Sequence, residues 1–364
     1  MSEFGNRGGS LNEIRIIDKV VIKSYNGIIP RGYEKLIEEA DYLRNISFTQ
    51  RNKDRKLFPE VIDLINDREN KSIELRIEKI DGIAFSKLIL SNQINSNDAR
   101  DYICYSIDIL LNNLFCLNNG VIDPKIGYKK YHSNRISLSR KYLRRLPYLE
   151  PILDSSVIYV NGIKRPSFNT FIRFLDEQST KIFKSKNLVS VHGNFHLDNI
   201  LIKEALNKTK EDVMFIDPRG DQLGYPHYDF SKILITLEGY YDEIHYNKYN
   251  LDYKKNGKAF EFNLEIDTKW SPIYKNCLSQ VREYFDEFHK LESHYSKHEY
   301  VLLIYSSMCI HILSFIFYHA FRLNPDTKRI RAYFALLFLF ADKLINVSKN
   351  KSLEIISNKR ILEN

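Results

Sequence analysis

The chain has 364 residues, of which 43% are hydrophobic and 27% charged. That is enough apolar material for a substantial core, and it excludes a disordered or fibrous chain. The formal charge of +8 suits a nucleotide or another anionic ligand. Yet Lys, Ile, Asn and Tyr are abundant throughout and no basic tract is concentrated, so compositional bias accounts for the charge equally well, and no specific nucleic-acid partner is expected. Cys104, Cys116, Cys277 and Cys309 show no C-x-x-C and no ligand spacing with histidine; they read as reduced thiols of a cytoplasmic protein. The polar start MSEFGNRGGS reads as no signal peptide.

In chain order, residues 3–10 are glycine-rich and contain Gly8, Gly9 and Ser10. Two strands are expected next, Glu13–Ile17 and Val20–Lys23, around the turn Asp18-Lys19. A helix fits Tyr33–Ile46, with Leu36, Ile37, Ala40 and Leu43 on one face and Glu34, Glu38 and Glu39 also on the helix. Residues 55–67 give no clear assignment. Ile73–Ile80 alternates like a strand, Asp81-Gly82 turns it, and an apolar helix follows at Phe85–Leu90. Asn97–Cys116 has apolar residues at helical spacing behind an Asn97-Asp98 cap. Residues 118–166 are irregular and basic, either a substrate-facing insertion or a solvated excursion. Phe168–Lys184 is another amphipathic helix.

Val191–Asp217 carries the densest chemistry. An apolar run ends in the polar loop His192-Gly193-Asn194-Phe195-His196-Leu197-Asp198-Asn199, followed by the strand Ile200–Ile202, a charged turn, the strand Val213–Ile216 and Asp217-Pro218. Pairing the two strands brings Asn199 and Asp217 to one end of a hairpin. An amide oxygen beside a carboxylate suits a hard cation such as Mg²⁺. A metal held by His192 and His196 is disfavoured, because Gly193 and Asn194 point to a loop and not a helix.

Downstream, a helix is expected from Tyr228. Residues 246–266 form two alternating strands around Lys255-Asn256-Gly257, a hairpin signal. Helices follow near 272–292, 297–322 and 328–348. Tyr300–Phe321 lacks Asp, Glu, Lys and Arg and has the length of a bilayer span. Because it contains Ser306, Ser307, His311, Ser314 and His319, it is expected to be a buried core helix, with no membrane span.

The loop resembles the H-G-D-x-H-x-x-N catalytic loop of the aminoglycoside phosphotransferase and choline kinase family, at His192, Gly193, His196 and Asn199. Ile216-Asp217 resembles that family's metal aspartate, and Gly224, Pro226 and Asp229 its following G-x-P-x-x-D segment. The resemblance implies an α+β, two-lobed protein-kinase-like fold, with a small β-sheet lobe over residues 1–80 and a mainly helical lobe over 81–364. It implies ATP and Mg²⁺ as cofactors and a small hydroxylated acceptor, read from the stretch after Asp217 as a sugar or amino alcohol of bacterial surface-polysaccharide metabolism. By the same resemblance, Gly8, Gly9 and Ser10 cover the nucleotide, Lys23 holds its α and β phosphates, and Glu39 pairs with that lysine, with Glu38 or Glu34 as alternatives. The backbone around Glu78 to Ile80 would meet the adenine, Asn199 and Asp217 would hold Mg²⁺, His192 would anchor the loop, and Asp229 would be structural. Arg219, Asp221, His227, Tyr240, Tyr241 and Asp242 are acceptor-side candidates.

One position departs from the family's pattern: Asn194 stands where the catalytic aspartate belongs. A neutral amide cannot act as a general base, although it can orient a hydroxyl. Three accounts stay open: a base removed from an active kinase, a natural weak kinase or pseudokinase, or a carboxylate supplied by Asp198. The retained lysine, Asn199 and Asp217 favour nucleotide binding in the first two. The oligomeric state is not readable from the sequence.

Overall fold

A computed structural model describes residues 13–25, 32–50, 56–203, 209, 212–220, 222–322, 324–350 and 359–363. The elements run β1 (Glu13–Ile17), β2 (Val20–Tyr25), α1 (Gly32–Gln50), β3 (Val61–Asp67), β4 (Ser72–Glu78), β5 (Ile83–Ala84), α2 (Phe85–Leu90), α3 (Ser96–Ile109), β6 (Asn119–Val121), α4 (Pro124–Tyr128), α5 (Asn134–Leu143), α6 (Glu150–Leu153), β7 (Val157–Val160), β8 (Ile163–Arg165), α7 (Phe168–Ile182) and β9 (Asn187–Ser190). They continue with β10 (Ile200–Ile202), β11 (Val213–Phe215), β12 (Leu223–Gly224), α8 (Pro226–Gly239), α9 (Tyr241–His245), β13 (Tyr249–Asn256), β14 (Ala259–Ile266), α10 (Ser271–Glu283), α11 (Phe285–Leu291), α12 (Lys297–Ala320) and α13 (Thr327–Lys349). The chain divides into two compact units. One joins Met1–Asn119 to Val189–Gly224, and the other joins Gly120–Leu188 to Tyr225–Asn364.

The first unit is organised by an antiparallel sheet in the order β1-β2-β4-β3. β4 sits inside it and alternates strictly, burying Ile73, Leu75 and Ile77; α1 covers that layer with Leu36, Ala40, Leu43 and Ile46. This is why residues 61–67 were opaque to a reading of pattern. β3 is an edge strand with a register shift between Val61 and Asp63 and a mostly exposed face, so its period is broken. A second small sheet, β11-β10-β5, carries the hairpin that ends at Asp217. α3 opens at Ser96 behind a cap on Asn95, two residues before the expected Asn97, and the Asn95 side chain accepts from the Asn97 and Asp98 amides.

The second unit is mainly helical. α12 is capped by Ser296 and Glu299 in a reciprocal capping box. It is apolar all round, and 83% of its most apolar window is buried, packed among α13, α8, α5 and α7. The expectation of a core helix over Tyr300–Phe321 therefore holds. The expected helix over 272–292 is two helices, α10 and α11, broken at Tyr284. The 246–266 hairpin forms, but its two-residue turn is Gly257-Lys258, one residue later than read, with Gly257 at φ +59°.

The C-terminal segment is fastened by Arg360, whose side chain is buried. Its guanidinium donates to both oxygens of Glu243 at 2.5 and 3.1 Å and to the Leu237 carbonyl at 2.9 Å, and stacks on Tyr240 at 3.6 Å. Removing one partner of such a pair leaves the other charge buried and uncompensated. Arg360→Ala is expected to lower the unfolding free energy by about 3–5 kcal/mol, measured by chemical denaturation against the wild-type chain.

Candidate active site

The loop from His192 to Asn199 enters the β10–β11 hairpin, where Ile200 pairs with Phe215 and Ile202 with Val213. The Ile216 amide donates to the Asn199 carbonyl at 3.0 Å, so Asn199 and Asp217 leave the hairpin side by side. Asp217 has φ +54°, a left-handed conformation at the strand exit that costs on the order of 1–3 kcal/mol and is kept only where the surroundings enforce it. Two nearby glycines pack closely against their surroundings. A Cβ at Gly193 (φ +72°) would lie 2.7 Å from the Arg219 Cβ, and one at Gly220 (φ +92°) 2.6 Å from the Glu38 Cβ. The chain after Asp217 therefore lies flush on α1 and on the loop, and the Arg219 amide donates to the His192 carbonyl at 2.9 Å.

That geometry serves a buried charge cluster. Lys23, on β2 and 5% exposed, donates to Glu39 Oε1 at 2.5 Å and to Asp217 Oδ1 at 2.8 Å. Glu39 is 1% exposed, whereas Glu34 and Glu38 of the same helix are exposed, so Glu39 is the glutamate that meets the lysine. Burial works against the Lys23 charge, but Asp217 and Glu39 outweigh it and raise its pKa above the ordinary lysine value. Burial likewise opposes ionisation of Asp217. Lys23, Lys35 and His196 more than compensate and hold its carboxyl well below the usual carboxylate range. For Glu39, burial prevails over the attraction of Lys23, and its pKa is raised.

Within the loop, His192 is buried, its ring 5.8 Å from Phe58 in a stacked arrangement and edge-on to Phe195 and Phe215. Its Nδ1 accepts from the Asn194 amide at 3.2 Å. The Asn194 side chain donates through Nδ2 to Asp217 Oδ2 at 3.2 Å. Asn199 Nδ2 donates to the Asn194 carbonyl at 2.9 Å and lies 3.2 Å from His196 Nε2. The Asn199 amide nitrogen is thus engaged within the loop. An ionised carboxylate has about four acceptor directions, and Asp217 uses one on Lys23 and one on Asn194. The pair fits a hard cation that shares phosphate oxygens. Among the described residues, no group of three or more His, Cys, Asp or Glu is set to hold a metal. Asp198 accepts from Ser86 Oγ at 2.8 Å, at the start of α2, so its carboxylate is engaged away from position 194.

The other expected residues divide. Gly8, Gly9, Ser10 and Asp221 lie outside the described residues. At the end of β4, the Glu78 amide donates to Glu60 and the Lys79 amide to Lys19, and the Glu78 carboxylate pairs with Lys56 at 2.5 Å; Ile80 follows, half-buried. Arg219 is half-buried beside Gly193. In the second unit, His227 is fully buried and bound through Nδ1 to Glu292 at 2.9 Å, and the Tyr241 ring packs on His245, Phe315 and Tyr333. Both are committed to the interior of that unit. Asp242 is also buried, accepting from the Tyr274 hydroxyl at 2.8 Å. Asp229 is fully buried in the first turn of α8.

Sequence reading missed three supports of the loop. Phe58 underlies His192, the Leu57 carbonyl accepts from Phe215 at 2.8 Å, and the Tyr42 hydroxyl donates to the Val191 carbonyl at 2.8 Å. Tyr42 falls outside the apolar face expected of α1, and Phe58 lay in a stretch with no periodicity.

The charge cluster has a pH signature. Asp217 has its pKa depressed in the folded chain, so its contribution to stability is complete above the ordinary carboxylate value of 3.8 and is lost as pH falls towards the depressed one. The difference in unfolding free energy between the wild-type chain and Asp217→Asn is expected to shrink as pH falls below about pH 4. Denaturant titrations at stepped pH measure it.

No family model matches the chain, and no curated protein matches it in sequence. Solved structures do. The GDP complex of wild-type aminoglycoside 2'-phosphotransferase-IIIa aligns over 93% of this chain and 90% of its own, at 13% identity and a TM-score of 0.50. The GDP and kanamycin complex of APH(2")-IIia aligns over 95% and 94%, at 13% identity and a TM-score of 0.49. APH(4)-Ia aligns over 95% and 93%, at 11% identity and a TM-score of 0.49. The chain has the protein-kinase-like fold of the aminoglycoside phosphotransferases, with a small antiparallel sheet and a mainly helical remainder.

Proposed function

We propose that this chain binds a magnesium nucleoside triphosphate, read here as ATP, and transfers its terminal phosphoryl group to a hydroxyl of a small metabolite. The observation that carries the reading is Lys23 held within 2.8 Å of Asp217 and 2.5 Å of Glu39, with Lys23 and Glu39 buried and Asp217 part-exposed. Phosphoryl transfer asks a protein mainly to position groups and to neutralise charge. In this reading Glu39 orients Lys23, and Lys23 holds the α and β phosphates. Asn199 and Asp217 would hold Mg²⁺, which when bound neutralises charge on the phosphate oxygens. Gly8, Gly9 and Ser10 cover the nucleotide, and the backbone from Glu78 to Ile80 meets its base. Residues 1–80 then form the nucleotide-covering lobe, and 81–364 carry the loop, the metal site and the acceptor site. GDP in the aligned phosphotransferase supports a nucleotide ligand, and it makes GTP a donor to test beside ATP.

For the acceptor, the reading is a sugar or amino alcohol, resting on the resemblance of the stretch after Asp217. Arg219 is the acceptor-side candidate that adjoins the loop. An intracellular nucleotide as co-substrate agrees with a cytoplasmic protein.

Asn194 sets the rate. Its amide can orient an attacking hydroxyl but cannot take its proton, and general-base assistance is worth about 10²–10⁴ in rate. It also donates to Asp217, where a second carboxylate would meet like charge. A second reading follows from the same residue: a pseudokinase that binds nucleotide and acts as a regulator.

Nucleotide consumption by the wild-type chain and by Asn194→Asp separates the readings, with Mg²⁺, ATP or GTP, and a panel of sugars, amino alcohols and aminoglycosides. The phosphotransferase reading expects the variant to turn over one acceptor about 10²–10⁴ times faster. It also expects the variant to be less thermally stable on its own and to gain more from Mg²⁺-nucleotide than the wild-type chain does. Binding without turnover in both forms supports the regulator. Equal turnover in both removes position 194 from the proton transfer.

A further inference from the structure

Two segments left unused by the phosphotransfer reading, 157–165 and 249–266, form one sheet in the order β13-β14-β7-β8, with β14 parallel to β7. One face is buried. Leu251, Phe260, Phe262, Leu264, Ile158 and Val160 line it, and Phe262 meets Phe338 of α13 at 6.0 Å. The other face is polar.

β13 is the outer strand, bonded among the described residues on one side only. It has eight residues, no proline and no bulge, its register running unbroken from Tyr249 opposite Ile266 to Asn256 opposite Ala259. All of it except Tyr249 and Leu251 is exposed. Such an edge is a template for another strand. The apolar layer does not stop short of it. Tyr253 belongs to the buried face by register yet is 44% exposed. Its ring stacks on Phe260 at 6.1 Å and carries the Arg331 guanidinium at 4.1 Å.

We propose that β13 pairs antiparallel with β13 of a second copy of this chain, about a twofold axis through Tyr253. The occupant follows from charge. With the axis at Tyr253, Asp252 stands opposite Lys254 of the second copy and Lys254 opposite its Asp252, while Asn250 faces Asn256 and the two Tyr253 rings meet. With the axis at Asp252 or at Lys254, that residue would oppose its own copy and the Asp–Lys pairs would be lost. Opposite charges directly across a strand pair stabilise it and like charges destabilise it, so of these three registers charge favours the one at Tyr253, which also sets Lys255 opposite Leu251 of the second copy. The product is an eight-stranded sheet, four strands from each copy, with an isologous interface. One strand pair buries less than the roughly 1,600 Å² of a standard interface, so the dissociation constant is expected on the order of 10 µM.

Sedimentation velocity of the full chain, from about 1 to 200 µM, spans that constant. The wild-type chain is expected to pass from monomer to dimer. Asp252→Lys and Lys254→Asp should each weaken association about tenfold or more, and the double exchange should restore it. Lys254 also pairs with Glu261 at 3.1 Å within its own chain. The double exchange leaves that intramolecular loss in place, so recovery reports the pair between copies. Tyr253→Cys tests the axis by a separate route: mild oxidation should link two copies through position 253, beyond any link the exposed Cys116 makes in the wild-type chain. A chain that stays monomeric throughout, a double exchange no better than the singles, or no link through position 253 overturns the proposal.

Discussion

A lysine ammonium held between two carboxylates in a nearly dry setting is the constraint on which the rest of the first unit depends. Lys23, Glu39 and Asp217 come from a strand, a helix and a hairpin exit separated by up to 194 residues in sequence. Burying Lys23 and Glu39 beside the part-exposed Asp217 is unfavourable unless the geometry is close and the charges answer one another. With both carboxylates ionised the trio carries one excess negative charge, and the raised pKa of Glu39 is the response expected of a carboxylate in such a place.

The surrounding structure is arranged to hold those three groups. Asp217 sits at positive φ, which is uncommon for a residue with a side chain. Close packing flanks it at Gly193 and Gly220, where any side chain would strike Arg219 or the backbone of α1. Gly220 therefore ties the position of α1, and with it Glu39, to the chain that follows Asp217. Tyr42 repeats the tie by reaching from α1 to the Val191 carbonyl. In this account the site is preorganised by backbone contact as much as by charge.

Much of this was legible beforehand, and the reasons are local. The loop and hairpin announced themselves because residue types with unusual chemistry, His192, Asn199 and Asp217, stood at the ends of short apolar runs. α12 was readable as a core helix because serines and histidines interrupt its apolar surface. What escaped had no local signal. β3 is an edge strand whose burial does not alternate. The break at Tyr284 between α10 and α11 leaves the helical pattern nearly intact. The choice among Glu34, Glu38 and Glu39 depends on which face of α1 is buried, and that is settled by the sheet beneath it. The role of Phe58 under His192 is a tertiary contact between segments without a shared pattern. His227, attractive as a polar residue shortly after Asp217, turns inward because Glu292, far along the chain, supplies it with a buried partner.

Calorimetric titration of Mg²⁺ with ATP, and of Mg²⁺ with GTP, into the wild-type chain and into folded Lys23→Met bears most directly on the Lys23 cluster as the nucleotide site. The account predicts binding of at least one nucleotide to the wild-type chain, dependent on Mg²⁺, and a loss of affinity of about tenfold or more when the ammonium is removed, since a charged hydrogen-bond partner is worth about 1.5–3 kcal/mol. Undiminished binding in Lys23→Met, or no binding of either nucleotide by the wild-type chain, would contradict it.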